Sequence, residues 1–192
     1  MSPTSRPVPP LLDRSAVARL VAELRVRDSV RRVVLANGCF DLLHVGHVRY
    51  LEDARAQGDF LVVALNTDES VRALKGAQRP LMPLAERAEI VRALRCVDVV
   101  TAFGETTLEA TLREILPDVH AKGTDYTRES VPERAVDLEL GIEIAICGDP
   151  KTRSSTDLVA RVPGGVDSQG SPRAMHDRGR GGDRSDEMGR NS

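Results

Sequence analysis

The sequence predicts a doubly wound α/β fold built on a parallel sheet of five strands. Three observations lead there. Several short segments, such as "RVVLA" and "FLVVALN", are apolar throughout instead of alternating, which is the pattern of strands buried on both faces. Segments with apolar residues three and four apart, the helical spacing, lie between them. The two patterns take turns along the chain, and strands joined by helices run parallel.

In chain order, residues 1–12 are Pro-rich and are expected to be a disordered N-terminal segment. "RSAVARLVAELR" predicts an amphipathic helix with Ala16, Leu20 and Leu24 on one face. "RVVLA" predicts the first strand, ending at Asn37 and Gly38, and a helix follows from about Gly46 to Gln57, closed by Gly58. "FLVVALN" is the second strand, with residues 66–80 read as a loop. "PLAERAEIVRALR" predicts a helix, "VDVVTAF" a strand and "TTLEATLREIL" a helix. "DVHAKG" is a short strand, "ERAVDLELG" a helix, "IEIAIC" a strand and "STDLVARV" a last short helix. From Pro163 onward Gly, Arg, Asp and Ser dominate, so residues 163–192 cannot bury enough surface to offset the entropy of ordering and are expected to be a disordered tail. The folded domain is thus expected over 13–162, and there is no internal repeat.

Composition excludes several function classes. A formal charge of −2 gives no overall basic field for nucleic acid. No apolar run approaches the ~18 residues of a membrane helix, and "MSPTSRPVPP" lacks the apolar centre of a signal peptide. A cytoplasmic protein without nucleic-acid or membrane partners is the expectation. Cys39, Cys96 and Cys147 are too widely spaced for a zinc pattern or a disulfide framework and are read as small apolar residues on or beside strands. His176 falls in the tail, away from any site.

In an open parallel sheet ligands bind beyond the carboxyl ends of the strands. Function is therefore expected in the loops 37–45, 66–80, 101–106, 122–131 and 147–156. The first of these has neither G-x-G-x-x-G nor G-x-x-x-x-G-K-[ST], which argues against dinucleotide binding and a P-loop. It has Asn37, Gly38, Asp41, His44, Gly46 and His47 leading into a helix. A helix N-terminus attracts phosphate oxygens, Gly46 would let a ligand approach the backbone, and His44 and His47, one turn apart, can reach the same anion. A histidine-bound metal would need a third ligand and usually i, i+4 spacing, so no metal site is assigned.

"HVGH" fits the H-x-G-H signature, and the wider stretch "NGCFDLLHVGHVRYLEDARAQGDFLVVALNTDESVRALKG" resembles small cytidylyltransferase-type nucleotidyltransferases. "ERAEIVRALRCVDVV", "AKGTDY" and "RSST" resemble further family segments in the expected order, so the resemblance spans about residues 30–160. It implies a Rossmann-like nucleotidyltransferase fold. "LKGAQRPLMP" and "AKGTDY" look most like the domain that adenylylates D-glycero-β-D-manno-heptose 1-phosphate to ADP-heptose. At 192 residues the chain has no room for the sugar kinase often fused to it, which predicts the stand-alone form.

The resemblance implies a catalytic set of His44, His47 and Lys75, with His47 on the α-phosphate and His44 toward the β/γ side. Nucleotide binding is expected from Asn37, Gly38, Cys39, Phe40, Asp41, Gly46, Arg95, Arg153, Ser154, Ser155 and Thr156. Substrate binding is expected from Asn66, Asp68, Arg87, Lys122 and Asp125. Asp41 either braces its loop or helps place the Mg²⁺ that accompanies a triphosphate, and Asn66 and Asp68 fit substrate positioning or a turn. Thr124 stands where the family usually has Gly, and "GDPKT" replaces its usual "EG". Expected partners are ATP and a sugar 1-phosphate, with a homodimer common in the family. A glycerol- or ethanolamine-phosphate cytidylyltransferase is the nearest alternative. A non-catalytic nucleotide-binding module is the alternative of a different class.

Overall fold

A computed structural model describes residues 11–149 of the chain. The expected last helix, the C-terminal tail and the expected site residues Arg153 to Thr156 lie outside these residues.

Five strands form one all-parallel sheet in the order β3-β2-β1-β4-β5. They are β1 (Val33–Gly38), β2 (Phe60–Asn66), β3 (Val99–Phe103), β4 (Val119–Gly123) and β5 (Glu143–Cys147). The helices are α1 (Arg14–Val26), α2 (Val45–Ala56), α3 (Asp68–Lys75), α4 (Leu84–Arg92), α5 (Glu109–Ile115) and α6 (Arg134–Leu140). Successive β1 residues show why the strands are apolar throughout. Val34 and Ala36 join one buried cluster with Leu51 of α2 and Ala88 and Val91 of α4, while Val33 and Leu35 join the other with Val17 of α1, Leu112 of α5 and Val136 of α6. Burying both faces places helices on both sides of the sheet.

Four details differ from the expectation. Leu11 and Leu12 pack against the two clusters, and Leu12 N–H donates to Val100 O at 3.2 Å, so placed structure begins before residue 13. The fully buried residues of α1 are Val17 and Val21, with Leu20 and Leu24 of the expected face packed beside them, while Ala16 is not part of that cluster. Residues 68–75, read as loop, form α3, capped by Thr67 Oγ1 accepting from Ser70 N–H and fixed by burial of Ser70 and Val71. α4 ends at Arg92, three residues short of Arg95.

Candidate active site

The sheet order reverses direction at β1, which has β2 on one side and β4 on the other. The carboxyl ends of β1 and β4 therefore frame the crevice in which such sheets bind ligands.

α2 begins there, and its two histidines cap it. His44 is the N-cap, and its Nδ1 accepts from Gly46 N–H at 3.1 Å. His47 returns the contact: its Nδ1 accepts from His44 N–H at 3.3 Å. This is a capping box built from imidazoles. In neutral imidazole one ring nitrogen accepts and the other carries the proton. Both histidines thus hold their protons on Nε2, as donors pointing away from the helix. The rings stack with centroids 3.8 Å apart, and Phe40 supports His47 from behind at 5.1 Å. Burial first, then electrostatic interaction with the His44 ring and the Lys75 charge, pull the His47 imidazole down to about 4. His47 is a neutral donor at pH 7.

Gly46, expected from sequence to let a ligand approach the backbone, also leaves room for the His44 ring. A Cβ there would lie 3.0 Å from His44 Cε1 and Nδ1. Gly38 does the same for Phe40, whose ring would lie 2.9 Å from an added Cβ and whose φ is +46°.

Several expected contact residues make internal contacts that frame the site. Asp41, expected at the nucleotide or Mg²⁺, is buried, and both its oxygens are engaged: Oδ2 accepts from Arg79 Nη1 at 2.6 Å, and Oδ1 accepts from Leu81 N–H at 2.5 Å and Met82 N–H at 3.4 Å. It braces the loop between α3 and α4. Arg87, expected at the substrate, is fully buried. It donates to Met82 O, Cys39 O, Asn66 O and Asp68 Oδ1 at 2.6–3.1 Å, which engages four of its five N–H groups with protein. The same contact fixes Asp68, expected at the substrate, against Arg87 through Oδ1. Asn66 is buried, donating to Ser70 Oγ at 2.9 Å and accepting from Cys39 Sγ at 3.6 Å. Phe40 is buried behind His47. Arg95, expected at the nucleotide, lies beyond α4 near the start of β3, and a helix of nine residues carries it about 13 Å from the carboxyl end of the sheet.

Lys75 closes α3 with an exposed side chain. Its charge acts on both His47 and Cys39, which places it on the open side of the crevice. Burial outweighs that charge and pushes the Cys39 thiol up. Across the switch point, Lys122 Nζ donates to Asn37 Oδ1 at 3.2 Å, lies 3.0 Å from Glu133 Oε2 and stands 5.2 Å from the Tyr126 ring centroid. Asp125 is exposed in the same loop. Sequence reasoning did not single out Glu133, Arg79, or the buried pair of His120 Nδ1 and Asp137 Oδ2, 3.0 Å apart. An acid at the start of an expected helix and an Arg beside Pro both read as surface residues, and no local pattern marks their partners.

The described residues contain no group of three or more His, Cys, Asp or Glu side chains able to hold a metal ion. No helix among them is long and apolar enough to cross a membrane.

The sequence matches the cytidylyltransferase-like family over residues 35–159. It is 45% identical over 166 residues to the bifunctional protein HldE of Streptomyces coelicolor, covering 83% of this chain and 36% of that one. It is 46% identical over 147 residues to the bifunctional protein HldE of Geotalea uraniireducens, covering 77% and 30%. The chain thus spans about a third of the length of these relatives. Among solved structures, the lipopolysaccharide core biosynthesis protein from Thermoplasma volcanium is similar with a TM-score of 0.55 and 27% identity, over 62% of this chain and 98% of that one.

Proposed function

The chain belongs to the cytidylyltransferase-like family and is a nucleotidyltransferase; from that premise we propose that it transfers AMP from ATP to D-glycero-β-D-manno-heptose 1-phosphate, giving ADP-heptose and pyrophosphate. A phosphate oxygen of the sugar attacks the α-phosphorus. The bond from that phosphorus to the bridging oxygen breaks, and pyrophosphate leaves with the electron pair. Such a transfer needs alignment and charge stabilisation more than covalent help.

One observation carries the reading. Two imidazoles are locked by the helix backbone into the tautomer that aims Nε2–H outward. Two pre-oriented donors at the positive end of α2 suit charge that develops on phosphate oxygens. His47 takes the α-phosphate, His44 the β/γ side, and Lys75 is the clamp from α3. Lys122 and Asp125 face the acceptor, and Asn37 the nucleotide. ATP normally travels with Mg²⁺, which keeps the triphosphate's own oxygens and water as ligands. Asp41 already accepts from Arg79, Leu81 and Met82, and no step is assigned to the ion. A homodimer, common in the family, is the assembly expected of the chain.

The test is pyrophosphate release with Mg²⁺, each of ATP, CTP, GTP and UTP, and either heptose 1-phosphate or glycerol 3-phosphate. Release with ATP and the heptose phosphate alone supports the proposal. Release with CTP and glycerol 3-phosphate keeps the transferase and replaces both substrates.

A further inference from the structure

Lys122 and Glu133 meet at the switch point as a charge pair with an unusual remainder. Both are about 95% buried, and their charges cancel. Burial alone would raise the Glu133 carboxyl, but the Lys122 ammonium and the Leu108 N–H outweigh it and hold the acid below the ordinary range. Glu133 Oε1 is satisfied by Leu108 N–H at 3.1 Å. Glu133 Oε2 has the ammonium 3.0 Å away but no aligned hydrogen bond. Of the three Lys122 donors, one goes to Asn37 Oδ1. With a second proton facing Glu133 Oε2, the pair keeps one carboxylate oxygen able to accept again and one ammonium proton able to donate, side by side. A carboxylate oxygen can accept more than one hydrogen bond, so a buried Oε2 that has only the ammonium beside it can take a second donor.

A hydroxyl both donates and accepts, and so fits both atoms at once. A phosphate oxygen fits poorly, because it meets a neutralised cation and a bare carboxylate oxygen. We propose that Lys122 and Glu133 form a dyad that reads a sugar hydroxyl of the acceptor, Glu133 Oε2 taking its proton's hydrogen bond and Lys122 Nζ donating to its oxygen. The acceptor's phosphate is then met on the His47 and Lys75 side. Tyr126, 38% exposed beside the ammonium, is the cover that an entering sugar moves aside. Glu133 becomes a specificity-determining residue of the transfer. The proposal rests on the sugar-phosphate reading given above.

The test separates the two. With the nucleotide site filled by α,β-methylene-ATP and Mg²⁺, inorganic phosphate is titrated by calorimetry at pH 7 into wild type, Glu133→Gln, Glu133→Asp, Lys122→Met and the Glu133→Gln/Lys122→Met double variant. Wild type and Glu133→Asp should bind phosphate weakly and alike. Glu133→Gln, with the cation no longer neutralised, should bind it at least about tenfold tighter, and the double variant should lose that gain. In turnover, Glu133→Gln should raise KM for the acceptor about tenfold and leave KM for ATP within about twofold. The dyad is overturned if wild type binds phosphate in a way that Lys122→Met abolishes, or if Glu133→Gln changes neither phosphate affinity nor acceptor KM. Phosphate titration needs no turnover, so it stands even if the heptose phosphate proves inactive, a result that would count against the substrate reading alone.

Discussion

His44 shows how one side chain can carry two separable tasks. Its Nδ1 closes the first turn of α2, and the proposed mechanism uses its Nε2–H. Asparagine also caps a helix through its side-chain oxygen but has no donor at the Nε2 position. His44→Asn should therefore keep the stability of wild type within about 0.5 kcal/mol, while His44→Ala should lose about 1 kcal/mol. Both should lose ~10²–10³ in kcat for pyrophosphate release, the usual cost of one transition-state donor. Urea denaturation and steady-state kinetics together check the split. His47 adds a pH dependence. Its folded value, about 4, lies below the ordinary 6.5 because burial disfavours the charged ring. Below pH 6.5 the unfolded chain binds a proton that the folded chain refuses until about pH 4. This group's contribution is thus fully present above 6.5 and declines as pH falls between those values. The urea midpoint should drop more between pH 7 and 4.5 in wild type than in His47→Gln, and an equal drop in both would contradict the burial of the ring.

At the scale of elements, the H-x-G-H turn is a capping unit before it is a binding unit. Gly46→Ala tests this. Alanine is intrinsically better in a helix than glycine by about 1 kcal/mol, which offsets the loss of the His44 cap, so the melting temperature should hardly move. Its Cβ would press on the His44 ring at 3.0 Å and turn Nε2 out of line, so kcat should fall at least tenfold. A fall in stability without a fall in kcat would sink this account. How much of this the sequence reveals depends on where the signal is written. β1 and β2 are legible because apolar residues on both faces are a local pattern. The signal for α3 is equally local, with Thr67 before Asp68 and Glu69, Arg72 and Lys75 in the last turn and Gly76 after it, but it lies in a segment whose place after β2 favours a ligand loop. Asp41 and Arg87 are different. Each looks like an exposed charge in its own segment, and only the convergence of distant carbonyls and N–H groups makes it internal. Lys122 was legible as a candidate, whereas its partner Glu133, eleven residues on, was not.

Over the whole molecule, the crevice exists because β1 turns the strand order, and it keeps its shape because Arg87 ties its wall together. From α4 that one guanidinium holds the end of β1 through Cys39 O, the end of β2 through Asn66 O, α3 through Asp68 and the intervening loop through Met82 O. Removing it would leave three carbonyls, that of Asn66 buried and those of Cys39 and Met82 part-buried, and one carboxylate without their donor. Loss of one partner from such a buried charged cluster costs about 3–5 kcal/mol, a large part of the stability of an ordinary domain. Lysine cannot replace it, because an ammonium has no planar fork to reach four acceptors. Arg87→Lys and Arg87→Met should both lose that amount in urea denaturation, and the molecules that remain folded should keep KM for ATP and acceptor within a few-fold. An arginine that contacts the substrate phosphate would give the reverse, with stability near wild type and KM raised about a hundredfold. The two outcomes do not overlap, so one denaturation curve and one saturation curve on Arg87→Lys decide whether the residue belongs to the frame or to the chemistry.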